Sequence, residues 1–107
     1  MQKRGHIYWA EMDKRRPVLV ISADARNDRA SDVLVIPCST TMREAPTHVP
    51  VRRGEGGLPR DSVLKCEQIT TLKKHAIDIA PIGLPLRTGR MAEVERAILR
   101  AIGIPIR

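Results

Sequence analysis

Two runs of aliphatic, largely β-branched residues, Val18-Leu19-Val20-Ile21 and Val33-Leu34-Val35-Ile36, most constrain what this chain can become. Each is apolar at successive positions. Each therefore presents apolar side chains to both faces of a pleated ribbon, a pattern that suits a strand covered on both sides. Residues 22–32 between them are polar, with several Asp, Asn and Arg, and read as an exposed connection with room for one helical turn. Two such runs joined by a loop read as paired strands. If they pair antiparallel, the start of the first lies beside the end of the second. Arg16 then meets Ser39 and Thr40 at one edge of the sheet. A guanidinium beside hydroxyls suits a phosphate.

The remaining segments extend the same pattern. Residues 5–12 alternate, with Ile7 and Trp9 on one face and Tyr8, Ala10 and Met12 on the other, and form a first strand. Asp13-Lys14-Arg15-Arg16 is a charged turn, and Pro17 opens the second strand, where a missing N–H is tolerated. The third strand covers residues 33–38, and the fourth covers 47–52, with Pro50 marking an edge or bulge. Three glycines punctuate residues 53–60, and a fifth strand covers 61–68, its alternation setting Val63, Lys65 and Glu67 on one face. Residues 69–72 continue extended, and 75–86 are irregular around Pro81 and Pro85, with a short strand at 77–79. A helix follows, capped by Thr88, buried through Met91, Val94, Ile98 and Ala101/Ile102, and ended by Gly103 and Pro105. Short strands followed by one helix indicate a single domain spanning residues 1–107, mainly β, built as a small bent barrel closed by the C-terminal helix.

Charge narrows the partners. Nineteen Lys and Arg against twelve Asp and Glu give a net charge of +7, which favours a polyanion or an acidic protein. Tyr8 and Trp9 are the only aromatic rings of the Phe, Tyr and Trp class, so recognition by several stacked bases is disfavoured. No apolar stretch approaches the roughly 20 residues of a membrane span. The N-terminus lacks an apolar leader, and two cysteines make no disulfide scaffold, so a cytoplasmic location is expected. Cys38 and Cys66 read as buried packing, and His6, His48 and His75 share no metal-ligand spacing. Strand-end polar groups remain: Arg15 and Arg16, then Ser39, Thr40 and Thr41, then Lys65, Glu67 and Gln68. By pattern alone each also has a structural explanation as solvated charge, turn residue or cross-strand pair.

Taken in order, these residues resemble a known family. Arg4-Gly5-His6-Ile7-Tyr8-Trp9, then Arg16-Pro17-Val18-Leu19-Val20-Ile21-Ser22, Val35-Ile36-Pro37-Cys38-Ser39-Thr40, Pro46-Thr47-His48-Val49 and Lys65-Cys66-Glu67-Gln68-Ile69 look like the MazF/PemK (Kid) toxins. The resemblance implies an SH3-like, MazF/CcdB-like barrel that forms a homodimer. It implies a type II toxin–antitoxin component that cleaves single-stranded RNA at short sequences, needs no metal or other cofactor, and is covered by a cognate antitoxin with an acidic binding segment. It assigns Arg16 to the scissile phosphate, Ser39 to the Thr/Ser that ends strand three, Lys65 and Glu67 to acid–base work and Gln68 to the neighbouring glutamine; Arg15 and Thr40, beside Arg16 and Ser39 in the chain, are expected as further substrate contacts. Only Asp13-Lys14-Arg15 stand where the family usually has a long loop, and Lys65 stands where it has arginine.

RNA supplies its own nucleophile, the ribose 2′-OH. The protein must take its proton, stabilise the charge on phosphorus and protonate the leaving 5′-oxygen. Arg16 and Ser39 are expected to serve the phosphate, Glu67 the 2′-OH, and Lys65 the phosphate or the leaving group. The rivals are a non-enzymatic CcdB-like gyrase poison, which the tail Ile104-Pro105-Ile106-Arg107 disfavours for want of an aromatic, and a plain basic nucleic-acid-binding module.

Overall fold

Strand β3 (Asp32–Ser39) is the spine of the molecule. One edge carries β2 (Arg15–Val20), joined in turn to β1 (Ile7–Glu11). The other edge is shared: the first half of β3 pairs with β6 (Thr70–Lys73) and the second half with β5 (Ser62–Lys65), which carries β4 (His48–Val51). All pairings are antiparallel, and the computed structural model describes residues 1–106. Arg107, the last residue of the C-terminal tail, lies outside the described residues.

The mainly β fold with a C-terminal helix agrees with the sequence, but the sheet is not closed. Its path runs β1-β2-β3-β5-β4 and ends on two strands that do not pair, so it is barrel-like only in a loose sense. Residues 77–86 cover the outer edge of β1 instead. Asp78, Ile82 and Leu86 donate backbone N–H groups to the carbonyls of Trp9, Ile7 and Gly5 at 2.9, 2.8 and 2.9 Å. Pro81 and Pro85 on that segment have no N–H to offer a further strand, which blunts the edge. The short strand expected at 77–79 is reduced to one bridge, between Ala10 and Ile77.

The fifth strand is shorter than expected. It stops at Lys65, and Cys66–Gln68 forms a 3-10 turn before β6 begins. Register explains the break. Continuing the β3–β5 pairing would set Thr70 opposite Asp32, whereas it lies opposite Val35, three residues further along β3. The three residues of the turn absorb that shift and remove Glu67 from the alternation that placed it beside Lys65.

Doubly apolar β2 and β3 bury both faces. Leu19, Ile36 and Leu64 face α2 (Thr88–Ala101) with Met91, Val94 and Ala97. Val18, Val20, Val33 and Val35 form a second cluster with Tyr8 and Ile77. Each fully buried side chain of this size contributes about 1.5–3 kcal/mol. The expected helical turn in the first connection is α1 (Asp24–Asn27). Two details of α2 differ. Thr88 is its first residue and makes no side-chain cap, and Ile102 is 60% exposed rather than part of the stripe. The helix does end at Gly103, whose φ of +81° allows Gly103 and Ile104 to donate to the carbonyls of Arg100 and Leu99.

Candidate functional site

The β2–β3 register places the opening Arg–Ser pair. Val18 lies opposite Pro37, so the same register carried two residues outward sets Arg16 opposite Ser39. Arg16 and Ser39, with Arg15, Thr40 and Thr41, line one cavity of about 470 Å3 whose walls include Trp9, Lys14 and Arg60. Four cationic side chains therefore surround one opening, a field that draws an anion.

Within this cavity Arg16 is held by its neighbours. Its side chain is only 19% exposed, and its Nη2 donates to both carboxylate oxygens of Asp13, at 2.9 and 3.2 Å. Its buried Nε has no hydrogen-bond partner among the described residues. Ser39 Oγ accepts the N–H of Thr41 at 3.1 Å, which fixes the turn out of β3. Arg15 is more committed. It pairs with Asp78 at 2.7 Å and Glu11 at 3.1 Å, and its guanidinium lies 5.7 Å from the Trp9 ring centroid. The hydrogen bonds it donates to Asp78, then to Glu11, raise its pKa further.

Lys65, Glu67 and Gln68 stand apart from this cavity. Lys65 lies two residues beyond Val63, the cross-strand partner of Ser39, and pairs with His48 of β4. Gln68 is exposed in the 3-10 turn. Glu67 is bound twice: Oε1 accepts from Thr47 Oγ1 at 3.0 Å, and Oε2 meets His48 Nε2 at 3.0 Å. Burial pulls its carboxyl up, but the bond from His48, its own backbone N–H, the Thr47 hydroxyl and the His48 charge outweigh burial and hold it below the usual carboxylate range. His48, which sequence spacing passed over as an isolated histidine, lines a second cavity of about 690 Å3 beside Pro50 and Val63. Asp13 was likewise passed over. Its spacing of three from Arg16 across a charged turn was the signal available.

Cys38 and Cys66 are both in the core, and burial pushes each thiol up to about 12, with a further upward push from Cys66 and Glu67 respectively. They are packing residues, not nucleophiles. No three His, Cys, Asp or Glu side chains converge as a metal-binding group, and no helix is long and apolar enough to cross a membrane, among the described residues.

This geometry coincides with a sequence match over nearly the whole chain. Residues 3–102 fit the PemK-like, MazF-like toxin of type II toxin–antitoxin systems. The chain belongs to the PemK/MazF toxin family. A probable endoribonuclease MazF5 of Mycobacterium tuberculosis is 34% identical over 106 residues, spanning 96% of this chain and 91% of the relative. Among solved structures, the M. tuberculosis toxin MazF-mt6 superposes with a TM-score of 0.85 at 30% identity, covering 94% of this chain and 99% of that one. A mycobacterial endoribonuclease in complex with its cognate antitoxin superposes with a TM-score of 0.87 at 26% identity over the full length of both chains. The MazF-like fold of this chain thus presents Arg16 and Ser39 side by side on β2 and β3, with Glu67 in the turn after β5 and His48 on β4 beyond it.

Proposed function

We propose that this chain is the toxin of a type II toxin–antitoxin pair and cleaves single-stranded RNA through attack of the ribose 2′-OH, with Arg16 and Ser39 as the phosphate site. The observation that carries the site is the convergence of Arg16, Ser39 and Thr40 on one cavity ringed by Lys14, Arg15 and Arg60. The endoribonuclease class follows from the family. Arg16 stabilises the charge that develops on the phosphorane, and the Ser39 hydroxyl donates to the same oxygens. Thr40 holds the flanking backbone and Lys65 gives a proton to the leaving 5′-oxygen, with Gln68 and Arg15 at the borders of the strand. The basic chain is complementary to an acidic antitoxin segment, and a homodimer is the assembly in which it acts.

Glu67 takes the 2′-OH proton in this mechanism, the role that likeness to the family implies. It lies outside the phosphate cavity and is bound to Thr47 and His48, so binding of RNA has to draw its carboxylate to within hydrogen-bond reach of the 2′-OH beside the phosphate on Arg16. The test is cleavage of mixed-sequence single-stranded RNA by Arg16→Ala and Ser39→Ala proteins. Loss of one such donor raises the barrier by about 3–4 kcal/mol, a drop of about 10²- to 10³-fold. Near wild-type cleavage by both variants would sink the assignment.

A further inference from the structure

His48 is the least expected polar group near the site. Its side chain is only 7% exposed, and each ring nitrogen faces an acceptor. Nδ1 lies 3.0 Å from the backbone carbonyl of Arg43, and Nε2 lies 3.0 Å from a carboxylate oxygen of Glu67. A carbonyl and an ionised carboxylate have no proton to donate, so both bonds form only when the imidazole carries a proton on each nitrogen. A neutral ring makes one and leaves a lone pair facing an oxygen.

The bond to Arg43 acts on a functional loop. Residues 40–46 leave β3 at the phosphate cavity, carrying Thr40 and Thr41, and return to β4 at His48. Besides the imidazole, the loop is tied by Thr41 N–H to Ser39 Oγ, by His48 N–H to the Ala45 carbonyl at 3.0 Å, and by the Arg100 guanidinium to the Pro46 carbonyl at 3.5 Å. The first of these sits at its start and the other two at its end. The middle is held by His48.

We propose that His48 is a positioning residue: as an imidazolium it clamps the middle of the 40–46 loop, through the Arg43 carbonyl, to Glu67, and loss of its Nδ1 proton to solvent releases that loop. The bond to the carboxylate is the stronger of the two, so the neutral ring keeps Nε2–H on Glu67 and frees Arg43. The charged and titratable groups on the elements around the ring are Glu67 and Cys66 in the 3-10 turn, Lys65 across from it on β5, Arg43 and Glu44 in the loop, and Arg100 on α2. The consequence for catalysis rests on the roles given to Thr40 and Glu67 above. The clamp itself does not.

The test follows wild-type protein and His48→Gln between about pH 5 and 8, the range in which histidine changes charge. At the acid end, nitrogen spectra of histidine-labelled wild type show protons on both ring nitrogens. As pH rises the Nδ1 proton leaves. Amide exchange of Thr41 and His48, whose N–H groups bond to Ser39 Oγ and the Ala45 carbonyl at the two ends of the loop, corrected for intrinsic rates, then speeds up by about tenfold, the worth of one hydrogen bond to a charged group. The kcat/KM for RNA falls over the same range in wild type, while in His48→Gln both exchange and cleavage lose this inflection. A neutral ring at the acid end, or the same pH dependence of loop exchange in both proteins, overturns the clamp. Should His48→Gln fail to fold, the wild-type ring spectra and loop exchange still decide it. Wild type that cleaves no RNA refutes the proposed function, and the ring and exchange data judge the clamp separately.

Discussion

Asp13→Asn should make this protein a better binder of RNA. In the free chain the Nη2 of Arg16 is occupied by Asp13, and a phosphate entering the cavity has to displace that carboxylate. The pair is asymmetric: Arg16 is 19% exposed and Asp13 76% exposed, so solvent screens most of the attraction. Pairs of this kind are worth about 0.2–1 kcal/mol, which corresponds to roughly a 1.4- to 5-fold change in binding. Removing a negative charge beside Lys14, Arg15 and Arg60 acts in the same direction and is likewise screened. The assay is steady-state cleavage of a fluorogenic single-stranded RNA at two salt concentrations. KM should fall by that factor with kcat nearly unchanged, and the gain should shrink in higher salt. The thermal midpoint should barely move. An unchanged or raised KM would refute Asp13 as a competitor for the guanidinium, as would a gain insensitive to salt.

Four further outcomes follow from the packing and the titrating groups. Gly57→Ala should cost about 2–5 kcal/mol, read as a fall in thermal midpoint, because its φ is +85° and a Cβ would sit 2.7 Å from the Ile82 carbonyl carbon and 2.8 Å from Gly83 N. Gly54→Ala, with nothing within 4 Å of its Cβ, should cost only the backbone part of that. Leu64→Ala, wholly buried between the sheet and α2, should cost about 2–5 kcal/mol in denaturant unfolding. The Arg90 guanidinium, at 2.9 Å, holds the Glu55 carboxyl below its usual value, so the stability it adds is present above about pH 4.3 and is lost as pH falls through the lower folded value. Glu55→Gln should therefore lose stability at neutral pH and fall off less steeply in acid.

The central pairing was legible in sequence because two apolar runs joined by a polar loop read as antiparallel neighbours. That pairing brings Arg16 and Ser39 to the same end of the two strands, while the register itself, Val18 opposite Pro37 rather than Ile36, is set by the tertiary packing and was not legible. The doubly apolar pattern of residues 18–21 and 33–36 likewise foretold strands covered on both faces. The region around Glu67 was not legible. Val63, Lys65 and Glu67 alternate as a strand would, but β3 has to serve β5 and β6 on one edge in registers three residues apart. That mismatch belongs to the tertiary pairing and leaves no local trace, so the 3-10 turn was missed, and with it the bond from His48 to Glu67. The open sheet was hidden for the same reason. Residues 77–86 cover β1 by backbone hydrogen bonds, which side-chain periodicity does not encode.

The most direct measurement is the chemistry of the cut. Purified protein is given a single-stranded RNA in excess EDTA, alongside the same RNA with a 2′-deoxyribose at the mapped cleavage position. Cleavage of the first with a 2′,3′-cyclic phosphate on the upstream fragment, and none at the substituted position of the second, is the result expected for 2′-OH attack at the Arg16–Ser39 site. No cleavage in EDTA, or equal cleavage of the deoxy-substituted strand, would contradict it.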